Sequence, residues 1–542
     1  MMQRRFAGIV PRVPEHMLGD GAAVIAHDVD LSHGTIKAWR EPLTVKQLPG
    51  TTLTLEVYGC CYFGWDTCVS VARWLPDCPR LYITGRVAYP EVAAINLSEC
   101  SLDYARLGIP APGTAPILSY VEPGEKTVES SSRAYVYTFV NWLDEEGAPS
   151  YPSTDMVCND GDQVIVSGFD TPAAEYRVEK IRVYRRVTGF RDGREKEQEP
   201  ATEWLLVGET AVGSAAFVDT KKDRFLGSAL STREVREPPA DLQQIVAISD
   251  TAILCGFAGN TLYFTKPRQP WNWPLELEVT LDDNIVHIAE VDGSVFVSTT
   301  GKPYMVAGDA GCDDRPCREV VKMDYPFEDI GCGYAHSAIG TPFGMVFAGK
   351  DGLILVNRSE QPTIITNQFF AADDWRALAP DTVRLAYHDG YLICVTDRIS
   401  FRLLLDHKTY QVEAQNALLS TISDEPVDMV LSDSGELLLL QDGYVKQWNA
   451  GVTLRPYHYV TAPLMTGYQA WMPAAEVNLL GGETTFSLVA ENRTMFSRPV
   501  TLNRPFRTAR LNRNRKYYVD FAGTGEVSFY RVGQTNVDMG NN

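Results

Sequence analysis

The sequence predicts a mostly β protein in which a β-propeller is joined to a fibronectin III-like β-sandwich and smaller β domains. Strand-length apolar runs bounded by turn residues recur along most of the chain. Five segments of the second half repeat one strand-and-turn pattern. The length of 542 residues exceeds what one compact core usually holds, and 45% of the residues are hydrophobic. We therefore expect several folded β domains.

The first residues carry many turn formers. Prolines and glycines interrupt residues 1–42, which we interpret as an N-terminal docking arm. Residues 43–122 contain β-type runs at 53–58 and 80–84 and are predicted to form a small β unit. The proline- and glycine-rich stretch 108–123 is typical of a linker and ends this unit.

Residues 123–238 are predicted to form the β-sandwich. Strand-length runs occur at 133–140, 163–166, 176–184 and 204–207. In the third run Ile181 and Val183 fall on one face and Lys180 and Arg182 on the other, so one face should be buried. Residues 189–202 mix basic and acidic side chains, which favours an exposed hairpin tip without a binding role.

Residues 239–458 are predicted to form the propeller blades. Each repeating segment has an apolar strand, a turn, a second apolar strand, another turn and a third strand. Successive segments start 285 − 245 = 40, 334 − 285 = 49, 384 − 334 = 50 and 426 − 384 = 42 residues apart, which is typical of a propeller blade. The segments are 245–266, 285–308, 334–356, 384–406 and 426–449.

The turns within these segments are hairpin signals. Asp292-Gly293, Asp389-Gly390 and Ser434-Gly435 each separate two apolar runs and are hairpin signals. A single blade cannot bury both of its faces, so the blades should stack around an axis. We expect the closing strands to come from an earlier or a later part of the chain; the number of blades stays open.

Residues 459–542 are predicted to form a C-terminal β unit with strands at 483–489 and 517–521. Basic residues concentrate between these strands. Three interpretations stay open: contact with an acidic neighbouring subunit, contact with DNA, or exposure without a binding role. Only Phe506 is interleaved with the arginines, which disfavours stacking on nucleic acid. The basic stretch comprises Arg504, Arg507, Arg510, Arg513, Arg515 and Lys516.

The net charge and the apolar runs limit the partners. A formal net charge of −20 opposes binding to nucleic-acid phosphates, whereas an acidic channel wall would let DNA slide without sticking. The first 12 residues lack the apolar run of a secretory signal. No stretch approaches the roughly 18 consecutive apolar residues of a membrane-spanning helix. We expect neither export nor membrane insertion.

The candidate metal ligands are weak. The 11 cysteines are irregularly spaced, which favours a reducing compartment, and Cys312 to Cys317 is one C-x4-C without the second pair that a zinc site needs. Residues 28–34 are similar to a calcium loop, but Gly34 comes one place late and no acid closes the loop. We interpret this segment as a turn.

No catalytic, cofactor-binding or metal-binding residue is predicted. The phosphate-loop, nucleophile-elbow and zinc-helix motifs do not occur. His16, His27 and His33 lie in the turn-rich arm, where surface or packing roles are expected. The acidic pairs at 282–283, 313–314 and 373–374 adjoin turn signals, so turn structure is favoured over acid–base chemistry.

The run 267–274 (PRQPWNWP) is aromatic and proline-rich. Such residues can stack on a sugar or a base, but we predict a packed crossover between strands.

Three sets of residues resemble one family of short-tailed bacteriophage proteins. The run 256–264 (GFAGNTLYF), followed by 267–274, resembles a motif of podovirus virion proteins of the tail nozzle or tail-hub family, the tail tubular protein B-like group. Residues 11–14 with 28–31 and Gly34 are similar to that family as well. So is the strand 135–138 followed by 146–150.

This resemblance implies a structural virion protein and not an enzyme. It implies a ring of six subunits below the portal and the adaptor, with propellers outside and a lumen through which DNA leaves. Such a ring is part of the virion tail and is assembled in the host cytoplasm. Its formal charge would be 6 × −20 = −120. We hypothesise that acidic side chains line the lumen while basic residues contact adjacent subunits.

Two other functional classes are weighed against this one. A soluble propeller enzyme or glycan-binding module would hold its ligand at the axis of the blades, and a monomer with a polar axial pocket would favour it. A receptor-binding tail spike needs a fibrous repeat or a depolymerase site, and the sequence has neither.

Overall fold

The computed structural model describes residues 2–121, 131–159, 162–189, 203–309, 317–323, 329, 336–358, 361–405, 418–508 and 513–533. Within these ranges the chain is mostly β, which confirms the predicted fold class. Almost all strand pairs are antiparallel. Each helix in these ranges is too short to cross a membrane. The α-helix spans Ala372–Arg376, and the 3-10 helices span Glu15–Met17, Ala174–Tyr176, Asp223–Phe225, Leu275–Leu277 and Pro380–Thr382.

Some sequence predictions fall outside the described residues. They concern residues 190–202 of the charged hairpin tip, the acidic pair at 313–314, Cys312 and Arg510. The chain divides into two compact units. Unit 1 comprises Met1–Val69, Asp283–Gly308 and Arg318–Asn542, and unit 2 comprises Ser70–Asp282 and Asp309–Cys317. The domain boundaries after residues 42, 122, 238 and 458 stay predictions.

Four small sheets of unit 1 follow the repeating segments 285–308, 334–356, 384–406 and 426–449, and each sheet is named here by its first residue. A hairpin from the N-terminal part of the chain belongs to the same unit. The Ile285 sheet contains Ile285–Val291, Ser294–Thr299, Tyr304–Asp309 and Cys317–Lys322, and the Ala338 sheet contains Ala338–Thr341, Gly344–Gly349, Gly352–Val356 and Thr363–Ile364. The Arg384 sheet contains Arg384–His388, Tyr391–Val395, Ser400–Leu404 and Leu419–Thr421, and the Asp428 sheet contains Asp428–Leu431, Leu437–Gln441, Tyr444–Gln447 and Leu43–Gln47. The hairpin contains Thr54–Tyr58 and Cys61–Trp65.

The first strands of the four sheets lie side by side in chain order, and the first strand of the hairpin lies beside the last of them. Ile285–Val291 packs against Ala338–Thr341, which packs against Arg384–His388; Asp428–Leu431 and then Thr54–Tyr58 continue the row. The fourth strand of the Asp428 sheet comes from the N-terminal part of the chain, as closure through an early segment requires. A row of first strands is what stacked blades predict. Closure of the row into a propeller stays a prediction.

The hairpin turns confirm the sequence signals. Ile285–Val291 and Ser294–Thr299 are joined through Asp292 (φ 48°) and Gly293 (φ 75°), both left-handed. Asp389 (φ 50°) and Gly390 (φ 80°) do the same in the Arg384 sheet. Two successive positive φ values form the two-residue turn whose twist matches that of the strands, and Asp-Gly tolerates them at low cost.

The N-terminal arm forms strands of unit 1. Its strand Ala23–His27 lies between Leu419–Thr421 of the Arg384 sheet and Tyr457–Thr461, and it extends that sheet to ten strands. Phe6 is fully buried and meets Tyr459 edge-on with ring centroids 5.6 Å apart. The arm is therefore an internal part of this unit.

The C-terminal strands of unit 1 surround one apolar core, to which Phe6 belongs. In the ten-stranded sheet the strands beyond Ala23–His27 are Tyr457–Thr461, Asn514–Gly523, Thr484–Ala490 and Arg493–Val500, and Leu464–Ala470 pairs with Asn514–Gly523. A four-stranded sheet contains Met2–Gln3, Glu526–Gly533, Ala474–Gly481 and Phe506–Arg507. A two-stranded sheet contains Val29–Asp30 and Lys37–Ala38.

A buried arginine joins the arm to two later parts of unit 1. The Arg455 guanidinium binds both carboxylate oxygens of Asp424 at 2.7 and 3.1 Å, and its Nη1 lies 3.3 Å from Asp28 Oδ1. Its Nη2 donates to Glu41 Oε2 at 3.1 Å. The side chains of Asp28 and Asp424 are each 5% exposed. We call these four residues the Arg455 cluster.

Unit 2 contains two four-stranded sheets and a sandwich. The Ser70 sheet contains Ser70–Arg73, Arg80–Thr84, Glu91–Asn96 and Ser101–Arg106. The Gln243 sheet contains Gln243–Ile248, Ile253–Ala258, Thr261–Phe264 and Val279–Thr280. One sheet of the sandwich contains Ile117–Tyr120, Val164–Ser167 and Ala216–Asp219, and the other contains Met156–Cys158, Ser131–Asn141, Val178–Gly189 and Leu205–Ala211.

The two sandwich sheets share one core. Tyr135, Val164 and Val207 pack in it, and so do Ile181 and Val183, both 0% exposed as their alternation predicts. At its edge the fully buried Arg185 lies 2.5 Å from the fully buried Asp219. A buried pair of this kind needs close geometry to offset the loss of hydration.

The Arg455 cluster predicts a large stability effect. Arg455→Ala leaves the buried carboxylates of Asp28 and Asp424 without their cation, so the free energy of unfolding should fall by about 3–5 kcal/mol. Urea titration followed by tryptophan fluorescence measures it. Arg398, an exposed arginine of the same unit, is the matched control, and Arg398→Ala should cost at most about 0.5 kcal/mol. Equal effects of both substitutions would contradict this role.

Candidate functional site

Several of the acidic and histidine residues considered in the sequence analysis contact other side chains in the structure. The carboxylates of the calcium-loop segment face arginines, with Asp28 in the Arg455 cluster and Asp30 3.5 Å from Arg402. Asp373 pairs with Arg376 at 2.9 Å in the short α-helix. His27 Nδ1 lies 2.9 Å from Thr421 Oγ1. These contacts place the residues in turns and in links between strands.

One cluster that the sequence did not reveal has the contacts of a hydrolase triad. Ser337 Oγ lies 2.8 Å from His287 Nε2, and His287 Nδ1 lies 2.9 Å from Asp329 Oδ2. Ser298 Oγ also donates to Asp329 Oδ2, at 2.5 Å. In a serine hydrolase the same chain of contacts activates the serine.

Burial decides how this cluster acts. Ser337 is 1% exposed, and the Asp329 side chain is also 1% exposed. A nucleophile has to reach a substrate carbonyl, so a hydroxyl this deep has no access in this conformation. His287 and Ser298 belong to the Ile285 sheet, whereas Ser337 directly precedes the Ala338 sheet. The cluster is a hydrogen-bonded link between two neighbouring sheets.

A second histidine links the first strands of unit 1. His336 Nδ1 lies 2.6 Å from Asp428 Oδ1, and Asp428 Oδ2 accepts the backbone N–H of Leu55 at 2.8 Å. The His336 carbonyl accepts the N–H of Leu385 at 2.7 Å. Burial disfavours the charged imidazole, but the Asp428 carboxylate outweighs it, and the pKa of His336 is raised.

The open site of unit 2 is a cavity of about 500 Å³, which we call the crossover pocket. Its apolar lining includes Ile109, Val235 and Trp273. Its polar lining comprises Arg236, Glu237, Tyr263 and Glu278. A volume of this size, with an apolar floor and a few polar groups, is typical of a small-molecule site.

The run 267–274 contributes Trp273 to the wall of this pocket. Trp273 is 1% exposed; its backbone N–H donates to Arg236 O at 2.9 Å and its Nε1 donates to Pro270 O at 3.1 Å. The backbone N–H of Arg236 donates to Asn272 Oδ1 at 3.2 Å. The prediction of a packed crossover is confirmed, because Trp273 is fixed in the wall instead of exposed for stacking.

Strand register brings the two polar groups of the opposite wall together. Thr261 pairs with Thr280 and Leu262 with Val279, so the next position of this register sets Tyr263 beside Glu278. On its other side Tyr263 pairs with Gly256, and the Leu242 side chain fills the space beside this glycine. Burial raises the pKa of Tyr263, and the negative charges of Glu278 and Asp241 raise it further, whereas Arg236 lowers it.

Three polar groups of the pocket remain available to a ligand. Within the described ranges the side chains of Arg236 and Glu278 and the Tyr263 hydroxyl make no hydrogen bond and no ion pair with the protein. Glu237, by contrast, accepts a hydrogen bond from the Tyr176 hydroxyl. The sequence signalled this site only through the runs 256–264 and 267–274, which contain Tyr263 and Trp273.

Comparisons with known proteins do not assign the chain to a family. No family model and no curated protein matches it. Among solved structures the AfRom2 CNH domain is similar at 10% identity, over 60% of this chain and 91% of that chain, with a TM-score of 0.26. A TM-score this low carries no argument about fold or function.

The buried triad predicts a chemical result. A fluorophosphonate probe, which labels activated serines, should leave Ser337 unlabelled in the folded protein because the probe cannot reach its hydroxyl. Intact-mass spectrometry measures labelling, with a known serine hydrolase as the positive control. Labelling that Ser337→Ala abolishes would instead support the enzyme alternative.

The raised pKa of His336 predicts a pH dependence of stability. Its contribution is complete below the unfolded-state pKa near 6.5 and is lost as the pH rises through the raised folded-state value. His336→Asn keeps a hydrogen-bond donor for Asp428 but does not titrate. The stability difference between wild type and this variant should therefore shrink from pH 6 to pH 9. A difference that is constant or grows with pH would contradict the role.

Proposed function

We propose that the chain is a ring-forming structural subunit of a short-tailed phage tail, of the nozzle or tail-tube type, that serves as a conduit for DNA ejection. The sequence resemblance supports this proposal. One structural observation carries it further: unit 1 exposes apolar and basic side chains together at one edge. We call this the assembly edge and define it as Met465, Tyr468, Trp471, Arg513 and Arg515.

The assembly edge presents apolar side chains to solvent. Met465 is 53% exposed, Tyr468 60% and Trp471 37%. The strand Leu464–Ala470 pairs with Asn514–Gly523 through a register shift between Met465 and Ala470, and the Thr466 hydroxyl donates to Tyr468 O at 2.7 Å within it. Grouped large apolar side chains at a surface are typical of a protein interaction site.

Charge favours another copy of the chain as the partner. Arg513 and Arg515 are exposed beside these apolar residues, whereas Lys516 pairs with Glu15 at 3.0 Å. In the part of the chain that the structure describes, these two arginines have no acidic partner. On a chain of net charge −20 they can complement an acidic surface of another copy. When the edge of each subunit contacts the acidic surface of the next one, and the rotation between neighbouring subunits closes on itself, the subunits form a ring.

A ring of six carries a formal charge of 6 × −20 = −120. We propose that its acidic side chains face the lumen, where they keep DNA from sticking, and that the basic edges contact adjacent subunits. The portal, the adaptor and other tail proteins are the further partners. Because these contacts are electrostatic in part, raised salt should weaken the ring.

The mass of the native assembly tests the proposal. Six subunits of 60.2 kDa give 6 × 60.2 ≈ 361 kDa. Reversing both edge charges with Arg513→Glu and Arg515→Glu should abolish this species, because the edge then repels an acidic partner. Native mass spectrometry at micromolar concentration measures both proteins.

Arg398→Glu with Arg493→Glu is the matched control, since both arginines are exposed in the same unit and lie outside the basic stretch. This variant should assemble as wild type does. A wild-type protein that stays at 60.2 kDa would contradict the proposed ring. Equal loss of assembly in both double variants would contradict the role of the edge.

A further inference from the structure

We propose that the crossover pocket of unit 2 binds a neutral saccharide. The proposal is independent of the ring-forming function, because it rests on the lining of the pocket and not on the assembly edge. A cavity of about 500 Å³ has room for one or two sugar rings.

The pocket offers the two kinds of surface that a sugar needs. The half-buried Tyr263 side chain packs against the apolar core that contains Leu242 and Trp273, and it also lines the cavity. The part of the ring that lines the cavity can contact the C–H face of a sugar. The floor continues with the buried side chains of Val235 and Trp273. This apolar surface covers one side of a bound ring.

The polar groups match vicinal hydroxyls. The Glu278 carboxylate only accepts hydrogen bonds, and the Arg236 guanidinium only donates them. A sugar hydroxyl does both, so neighbouring hydroxyls donate to Glu278 and accept from Arg236. The Tyr263 hydroxyl adds a group that donates or accepts. All three groups lack a hydrogen-bond or ion-pair partner in the part of the chain that the structure describes.

The charges of the pocket argue against ionic ligands. Two carboxylates, Glu237 and Glu278, line it with one guanidinium, and Asp241 is close enough to raise the Tyr263 pKa. This excess of negative charge opposes phosphates and other anions. Arg236 in the same lining opposes a cation. The hydroxyls of a neutral ligand can donate hydrogen bonds to the carboxylates and accept them from the guanidinium, and the ligand brings no charge of its own.

The wall is fixed before the ligand binds. Trp273 and Arg236 are held by three hydrogen bonds, from Trp273 N to Arg236 O, from Trp273 Nε1 to Pro270 O and from Arg236 N to Asn272 Oδ1. Asn272, itself 2% exposed, donates to Gln269 Oε1 at 2.7 Å. A preformed wall reduces the entropy lost on binding.

Ligand titration of the full chain tests the proposal. The probes are the neutral disaccharides maltose, cellobiose and lactose, with glucose 6-phosphate as the anionic and glucosamine as the cationic comparison. Saturation-transfer NMR and calorimetry should detect at least one neutral disaccharide and should show weaker binding of both charged sugars. Glu278→Gln should weaken that binding about tenfold, because a charged acceptor is lost.

Glu276→Gln is the matched control, since Glu276 lies two residues away, outside the pocket lining, and pairs with Lys266 at 3.4 Å. Its affinity should equal that of wild type. Tyr263→Ala should weaken binding as well. Absence of binding by all three disaccharides up to about 10 mM, tighter binding of glucose 6-phosphate, or equal affinity in wild type and Glu278→Gln would overturn the proposal. The native mass should be unchanged in Glu278→Gln, so a failed ring and a failed pocket are separate results.

Discussion

Unit 1 depends on the Arg455 cluster and on the strand pairing around it. One guanidinium holds Asp28 and Glu41 from the arm together with Asp424, while the arm strand Ala23–His27 joins the Arg384 sheet to Tyr457–Thr461. The arm residues precede Asp424, Arg455 and Tyr457–Thr461 by hundreds of residues in the sequence. The chain pays the loop-closure entropy of such pairings before their contacts form, so unit 1 should fold slowly, with its two ends joining late.

The sequence predicted those parts of the fold that depend on residues close together in the chain. The Asp292-Gly293 and Asp389-Gly390 turns follow from backbone preferences of two residues, and the buried face of the strand with Ile181 and Val183 follows from alternation. The docking of Ala23–His27 did not follow from the sequence, because no local signal specifies a partner strand more than 400 residues away. The row of sheets was predicted from a repeat, which is itself a local pattern compared along the chain.

The candidate sites were less predictable because each one is assembled from distant, ordinary residues. Ser337, His287 and Asp329 lie in no common motif, and Arg236, Tyr263 and Glu278 meet only through strand register and the packing of the crossover. The degree of burial distinguishes the sites that can bind a partner from the one that only links sheets. The Ser337 hydroxyl is enclosed and links sheets, whereas the crossover pocket and the assembly edge keep polar groups open to a ligand or a second copy. Function in such a scaffold belongs to sites placed on the fold, not to the fold itself.

Hydrogen exchange of the native protein tests most directly whether the arm is an internal part of unit 1. We expect the amides of Ala23–His27 to exchange with the same opening free energy as those of Tyr457–Thr461, because the two strands pair and should open together. Exchange of Ala23–His27 that is orders of magnitude faster than that of Tyr457–Thr461 would show that the arm opens independently. That result would contradict a unit held together by its N-terminal residues.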